Sequence, residues 1–179
     1  EIGRLEVAPG RFLETVHAFI NSDGLTAEGL RAAVEELRGR GAQAIVGAEA
    51  FGVDDPTNER ALLDVCAEMG IPATASHEVS GLYGLRIRAR TAVINASILP
   101  KMVQTAQMTA RAVTEAGISA PLMIMRSDGG VMSIDEMRRR PILTILSGPA
   151  AGVAAALMYA KISDGIFVEV GGTSSDITC

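Results

Sequence analysis

An α/β chain is predicted, with parallel strands covered by helices. Three observations carry this. Short apolar runs alternate with segments of helical periodicity from the first residues onward. Hydrophobic residues make up 48% and charged residues 21% of 179 residues, the balance of a chain that folds. Glycine occurs 19 times, about a tenth of the chain against a usual ~7%, which points to tight turns and close backbone approach. Aromatic residues are only 3% and tryptophan is absent, so the core must be aliphatic.

Taken in order, the opening Ile2–Ala8 alternates at Leu5 and Val7 and predicts a strand. Thr26 is a fitting N-cap for a helix with Leu30, Val34 and Leu37 at helical spacing. Ala44–Ala48 is a run suited to a buried strand. Asp55 and Pro56 predict the next helix start, Asp as N-cap and Pro at the first helical position. Leu62, Leu63, Cys66 and Met69 give that helix its apolar face, Gly70 ends it, and Ile71–Ala75 is the following strand.

The polar, glycine-bearing stretch Ser76–Arg90 reads as a connection and as the boundary between two regions, 1–80 and 81–179. Within it Arg86, Arg88 and Arg90 alternate, as on the solvated face of an extended segment, and His77 beside Glu78 reads as a hydrogen-bonded loop histidine. Thr91–Glu115 has helical composition, interrupted at Pro100, where a break or kink is expected. Val103, Ala106, Ala110 and Val113 supply an apolar stripe, and Met102, Met108, Met123 and Met125 read as core filler. Leu122–Met125 is a core strand. Ser133 and Glu136 form a capping-box pair before a short helix ending in Arg138, Arg139 and Arg140. Ser147, Gly148 and Pro149 open a small-residue helix with Ser147 as its cap, and Ile166–Val170 is a last strand.

The charge balance, 21 acidic against 16 basic residues and a net −5, excludes a basic nucleic-acid clamp. The longest apolar window, Pro149–Ala160, is shorter than the ~20 residues of a membrane span. No leader is expected from the opening residues. Cys66 and Cys179 form no CxxC pair, and His17 and His77 share no zinc-ligand spacing with them, so a reduced cytoplasmic protein is expected.

Three stretches could carry chemistry. In the run 167–178, an apolar strand enters Gly171 and Gly172, then Thr173, Ser174 and Ser175, then Asp176. Such a hairpin leaves backbone N–H groups unshielded beside hydroxyls, a fit for phosphate oxygens, with an acid placed to serve magnesium. A plain glycine turn with a polar tip fits the same residues. It is neither a Walker loop nor a GxGxxG fingerprint. The start of the Ser147–Gly152 helix could meet an anion or could simply allow close helix–sheet packing. Asp128 and Arg126 follow the carboxyl end of a strand, where ligands of α/β sheets gather, although Asp-Gly alone makes a turn.

Together these segments resemble the hydantoinase/oxoprolinase family, in its hydantoinase A-like branch. The resemblance is carried by His77–Val79 with Gly81–Tyr83, Thr91–Asn95, Arg126–Met132, Arg140–Gly152 and Val170–Asp176, in that order over roughly 71–178. It implies an actin-like (ribonuclease H-like) ATPase fold, of which 1–80 would be the end of an N-terminal α/β region and 81–179 the start of the hydantoinase A-like domain. It implies ATP and Mg2+ as cofactors and phosphorylation of a cyclic amide of the hydantoin or 5-oxoproline type. Carboxylase-subunit relatives and a non-catalytic actin-like module remain alternatives. The implied roles are phosphate binding by Gly171, Gly172, Thr173 and Ser174, metal binding by Glu169 and Asp176, and catalysis by Asp128 and Asp176. The implied partners are a small cyclic amide and a further subunit, either another copy or a second hydantoinase-type chain, with no nucleic acid and no membrane. The chain departs from the family in having Glu169 for the usual Asp and Ser175 for the usual Thr. The family's first phosphate hairpin and second lobe are also missing, so a fragment is expected.

Overall fold

A computed structural model describes residues 3–161 and 164–179. Ile2, at the start of the expected first strand, lies outside the described residues. The chain divides into two compact units, Glu1–Lys101 and Met102–Cys179.

In the first unit, strand β1 (Arg4–Ala8) pairs antiparallel with β2 (Arg11–Glu14). The turn at Gly10, with φ of 70°, closes this hairpin. Here the expected start of a parallel sheet is corrected. The β1 strand finds its partner two residues downstream because the Pro9-Gly10 turn lets it fold straight back. Strand β3 (Ile45–Gly47) does pair parallel with β4 (Ala73–Ala75), with helix α2 (Thr57–Glu68) between them in the chain. Among the described strands this is the single parallel pair, and every sheet has two strands.

Helix α1 (Ala27–Gly39) starts as expected: Thr26 Oγ1 accepts from Gly29 N at 3.1 Å. Its apolar stripe buries Leu30 and Val34. Val34, Ile45, Cys66 and Ile71 form the core of this unit, with Leu37, Leu62 and Met69 packed around them. Complete burial of an aliphatic side chain of this size contributes roughly 1.5–3 kcal/mol. Gly47 lets the strand approach α2, since a Cβ there would sit 2.8 Å from Leu62 Cδ2. The start of α2 lies one residue later than expected. Pro56 occupies the N-cap position, and Asp55 instead accepts from Thr57 N at 3.1 Å and from its hydroxyl at 2.6 Å.

The stretch 76–90 is not a mere connection. Ser76–Val79 forms a short helix, α3, and helix α4 begins at Leu85 and runs to Glu115. The expected extended arginine face is therefore overturned. On a helix Arg86 and Arg90 point outward, while Arg88 joins the stripe Ala89, Ala92, Asn95, Ala96 and Leu99 and is wholly buried. Nor does Pro100 break α4, which is assigned continuously through it. Proline has no N–H to give the helix ladder, and Leu99 before it and Ala106 after it are both buried.

In the second unit, the remainder of α4 packs Ala106 against Met132 and Met137, with Met102, Ile124 and Leu143 around them. Met108 and Met123 are exposed and not core filler. Strands β5 (Met123–Met125) and β6 (Val131–Ser133) form an antiparallel hairpin. Ser133 caps helix α5 (Ile134–Arg139), its Oγ accepting from Glu136 N at 3.2 Å. A 3-10 turn at Pro141–Thr144 leads to helix α6 (Ser147–Ala160). Ser147 is not the cap of α6. That position falls to Leu146, held at φ 64° with no side-chain cap bond. Strands β7 (Phe167–Val170) and β8 (Ser175–Thr178) close the chain as an antiparallel hairpin.

Candidate functional site

The register of the terminal hairpin settles which side chains meet. Glu169 lies directly opposite Asp176, Phe167 opposite Thr178 and Val170 opposite Ser175. Opposed residues of an antiparallel pair share a face, so the two carboxylates stand side by side with Phe167 and Thr178. All four are half-buried, whereas Val168, Val170 and Ile177 on the other face are exposed.

The half-buried face packs on α6. A Cβ at Gly152 would sit 2.5 Å from Glu169 Oε2 and 3.0 Å from the Phe167 ring, so any larger residue there would have to push these side chains aside. Close helix–strand packing is thus the physical reason for Gly152, whereas a Cβ at Gly148 would meet nothing within 4 Å. Glu169 Oε2 is buried and has no hydrogen-bond partner. A buried acceptor without a donor is costly, and such an atom beside a second carboxylate is suited to a hard cation.

The turn between the strands, Gly171–Ser174, is closed by Gly171 N donating to Ser174 O at 2.9 Å. Both glycines are exposed, and a Cβ at Gly172 would meet nothing within 4 Å. Space around the turn is therefore open to a ligand.

Asp128 sits in the β5–β6 turn. Its Oδ1 accepts from Gly130 N at 3.0 Å and its Oδ2 pairs with the Arg126 guanidinium. The Gly130 N–H bond, assisted by Arg126, holds this carboxyl below its ordinary value. Gly129, at φ 80°, supplies the left-handed residue of the turn. Asp128 also borders an open cleft of about 400 Å³ walled by Leu146, Pro149, Val153, Leu157 and Thr178. Glu169 and Asp176 thus come together, Asp128 shares the cleft with Thr178, and Gly171–Ser174 is not part of the cleft wall.

The first unit holds a second polar centre, one that sequence reasoning missed. Glu59 on α2 is buried at 3% exposure and accepts four hydrogen bonds. Its Oε1 takes Glu49 N at 2.9 Å and Ser76 Oγ at 2.7 Å. Its Oε2 takes His77 N at 2.9 Å and lies 2.6 Å from His77 Nδ1. Burial pushes the Glu59 pKa up, but these donors outweigh it and the net shift is downward, so the group is ionised at neutral pH. Arg88 continues the network. Its Nε donates to Ser76 Oγ at 2.9 Å, its Nη1 to Leu82 O at 2.7 Å, and its Nη2 to Glu49 O. His77 is thus no loop histidine but a member of α3 locked to a carboxylate. The signal available in the sequence was Arg88 four places before Ala92 on a helical stripe, hidden by reading the segment as extended.

Residues 88–179 match the profile of the hydantoinase/oxoprolinase family. The caprolactamase subunit alpha of Pseudomonas jessenii is 30% identical over 96% of this chain, which corresponds to 26% of that protein. An uncharacterized protein of Methanocaldococcus jannaschii is 25% identical over 84% of this chain and 23% of its own length. The crystal structure of the ATP-dependent caprolactamase from Pseudomonas jessenii superposes with a TM-score of 0.71 at 30% identity, covering 89% of this chain and 25% of that one. The chain belongs to the hydantoinase/oxoprolinase family. It spans about a quarter of the length of the relatives it matches. No helix among the described residues is long and apolar enough to cross a membrane.

Proposed function

We propose that the chain is part of a cytoplasmic ATP-dependent enzyme that opens a cyclic amide through a phosphorylated intermediate, working with a second subunit. The observation that carries this reading is the direct pairing of Glu169 with Asp176 next to the open Gly171–Ser174 turn. The kinship with an ATP-dependent caprolactamase supports the choice of substrate class.

In this reading the amides of Gly171 and Gly172 and the hydroxyls of Thr173 and Ser174 receive the phosphate oxygens of ATP. Glu169 and Asp176 would hold Mg2+, which normally takes one or two carboxylates and keeps several waters. The unpartnered Glu169 Oε2 fits that role. When bound, the ion would neutralise charge on the transferring phosphoryl group. Asp176, as one of the two carboxylates that would hold the ion, would thereby help set the position of the phosphate tail. Phosphoryl transfer from ATP to the amide oxygen releases ADP and leaves an electrophilic carbon; one water adds there, the C–N bond breaks with a proton going to the ring nitrogen, and a second water cleaves the resulting acyl phosphate to release phosphate. Asp128, which borders the cleft, would contact the amide substrate.

The test uses the family-length protein with ATP, Mg2+ and a panel of hydantoin, 5-oxoproline and caprolactam. Phosphate release should depend on one of these amides, and Asp176→Asn should lower it by about a hundredfold or more, as loss of a positioned transition-state contact does. Turnover that needs bicarbonate and ignores every amide would overturn the hydrolase reading.

A further inference from the structure

The Glu59–His77 pair lies wholly within the first unit and owes nothing to the hairpin. Glu59 is ionised and saturated by donors, so His77 Nδ1 must carry its hydrogen toward Oε2. That hydrogen stays in place whether the ring is neutral or charged. Proton exchange is therefore confined to Nε2. No described residue partners Nε2, and the His77 side chain keeps 13% exposure.

A carboxylate behind an imidazole fixes its tautomer and raises the basicity of the far nitrogen, as in metal-ligand and acid–base histidines alike. Among the described residues there is no group of three or more His, Cys, Asp or Glu side chains able to hold a metal ion. The acid–base role needs only the carboxylate behind the ring and a lone pair in front of it.

The surroundings are built to hold this geometry. Glu49 N and Glu49 O are both bound, by Glu59 and by Arg88. They anchor a loop in which Phe51 sits at φ 60°, 70% exposed. A bulky residue in the left-handed region is strained, and such strain persists where surrounding contacts over-determine the backbone. Gly52 presses against the carboxylate, where a Cβ would lie 2.8 Å from Glu59 Oε1. Of the charged groups, Glu59 from α2 touches the ring, Arg88 from α4 joins the same centre through Ser76, Glu78 is the next residue on α3, and the Glu49 carboxylate in the loop is held by Asn58.

We propose that His77 Nε2 is a proton-accepting site, held in the Nδ1–H tautomer by Glu59, for a small ligand that presents an N–H or O–H group. Glu59 is then a positioning residue that acts through His77.

With two histidines in the chain, ring nitrogens are readily assigned by comparison with His17→Gln. Long-range 1H–15N correlation on the unmodified protein should show that the neutral form of the His77 ring carries its hydrogen on Nδ1 and not on Nε2. Diethyl pyrocarbonate then probes the lone pair: Nε2 bonds to a carbonyl carbon, a C–O bond breaks, and ethyl carbonate leaves. His77 should be modified in the native protein. Glu59→Gln, whose amide can donate to Nδ1 and drive the hydrogen to Nε2, should slow this about tenfold or more. Glu59→Asp should restore part of the rate. The contrary results are an Nε2–H ring, or native His77 untouched while His17 reacts. Either result overturns the proposal, and the spectrum of the unmodified protein decides it even if Glu59→Gln fails to fold.

Discussion

Two buried or half-buried glutamates face opposite circumstances in this molecule. Glu59 has every lone pair engaged, by a backbone N–H from a loop, a serine hydroxyl, and both the backbone and the ring of His77. Glu169 has a buried oxygen with no donor at all, pressed against a glycine and facing another carboxylate across the strand pair. Satisfied, a buried charge locks local structure; unsatisfied, it is a cost the fold must carry. The first unit therefore stores rigidity in its carboxylate, and the second leaves a carboxylate oxygen without a donor.

The sharpest way to break the comparison is to delete the satisfied group. Glu59→Ala leaves four donors in the interior without their acceptor, and removing one side of a buried charged network costs about 3–5 kcal/mol. Urea unfolding should show that loss, with Glu169→Ala far closer to neutral because no hydrogen bond goes with it. Equal losses would sink the contrast. Acid should reveal the same asymmetry. The folded-state pKa of Glu59 lies below its ordinary value of 4.5. Its contribution is therefore complete above pH 4.5 and is lost as pH falls through the lower, folded value. Stability of the unaltered protein should fall below pH 4.5, and Glu59→Gln should flatten that limb.

What was legible in advance follows the same division. Local signals read well: the Thr26 and Ser133 caps, the Leu30 and Val34 stripe, and the hairpin at Gly171–Ser174 all depend on neighbours within a few residues. The Glu59 centre did not read, because Glu59, Ser76 and Arg88 come together only through tertiary packing. The start of α4 was hidden too, since Gly81 and Gly84 lie just before it and alternating arginines suit a strand as well as a helix. Pairing of β1 with β2 instead of in a parallel sheet turned on one Pro-Gly turn. In the candidate site, the sequence placed Glu169 and Asp176 on one hairpin but could not show that they stand face to face, which is a matter of register.

A smaller effect sharpens the second half of the comparison. Gly152→Ala adds a methyl group that would lie 2.5 Å from Glu169 Oε2 and 3.0 Å from the Phe167 ring. Overpacking of this kind costs about 1–3 kcal/mol. Combining it with Glu169→Ala should recover part of the loss, since one of the two clashes is removed. A fully additive double variant would mean that α6 and β7 do not press on each other through these atoms.

The smallest effect leaves stability untouched and contrasts the two units through their cysteines. Cys66 is buried in the core of the first unit, and that burial pushes its thiol up to about 11. Cys179 is exposed at the end of the second. Thiolate is the reactive form, so at pH 8 a disulfide reagent such as dithiobis-nitrobenzoate should titrate one thiol in the native protein and two in denaturant. If Cys66 reacted natively at a rate near that of Cys179, the core formed by Val34, Ile45, Cys66 and Ile71 would be opening on the timescale of the assay, and the rigidity assigned to the first unit would have to be confined to the Glu59 network.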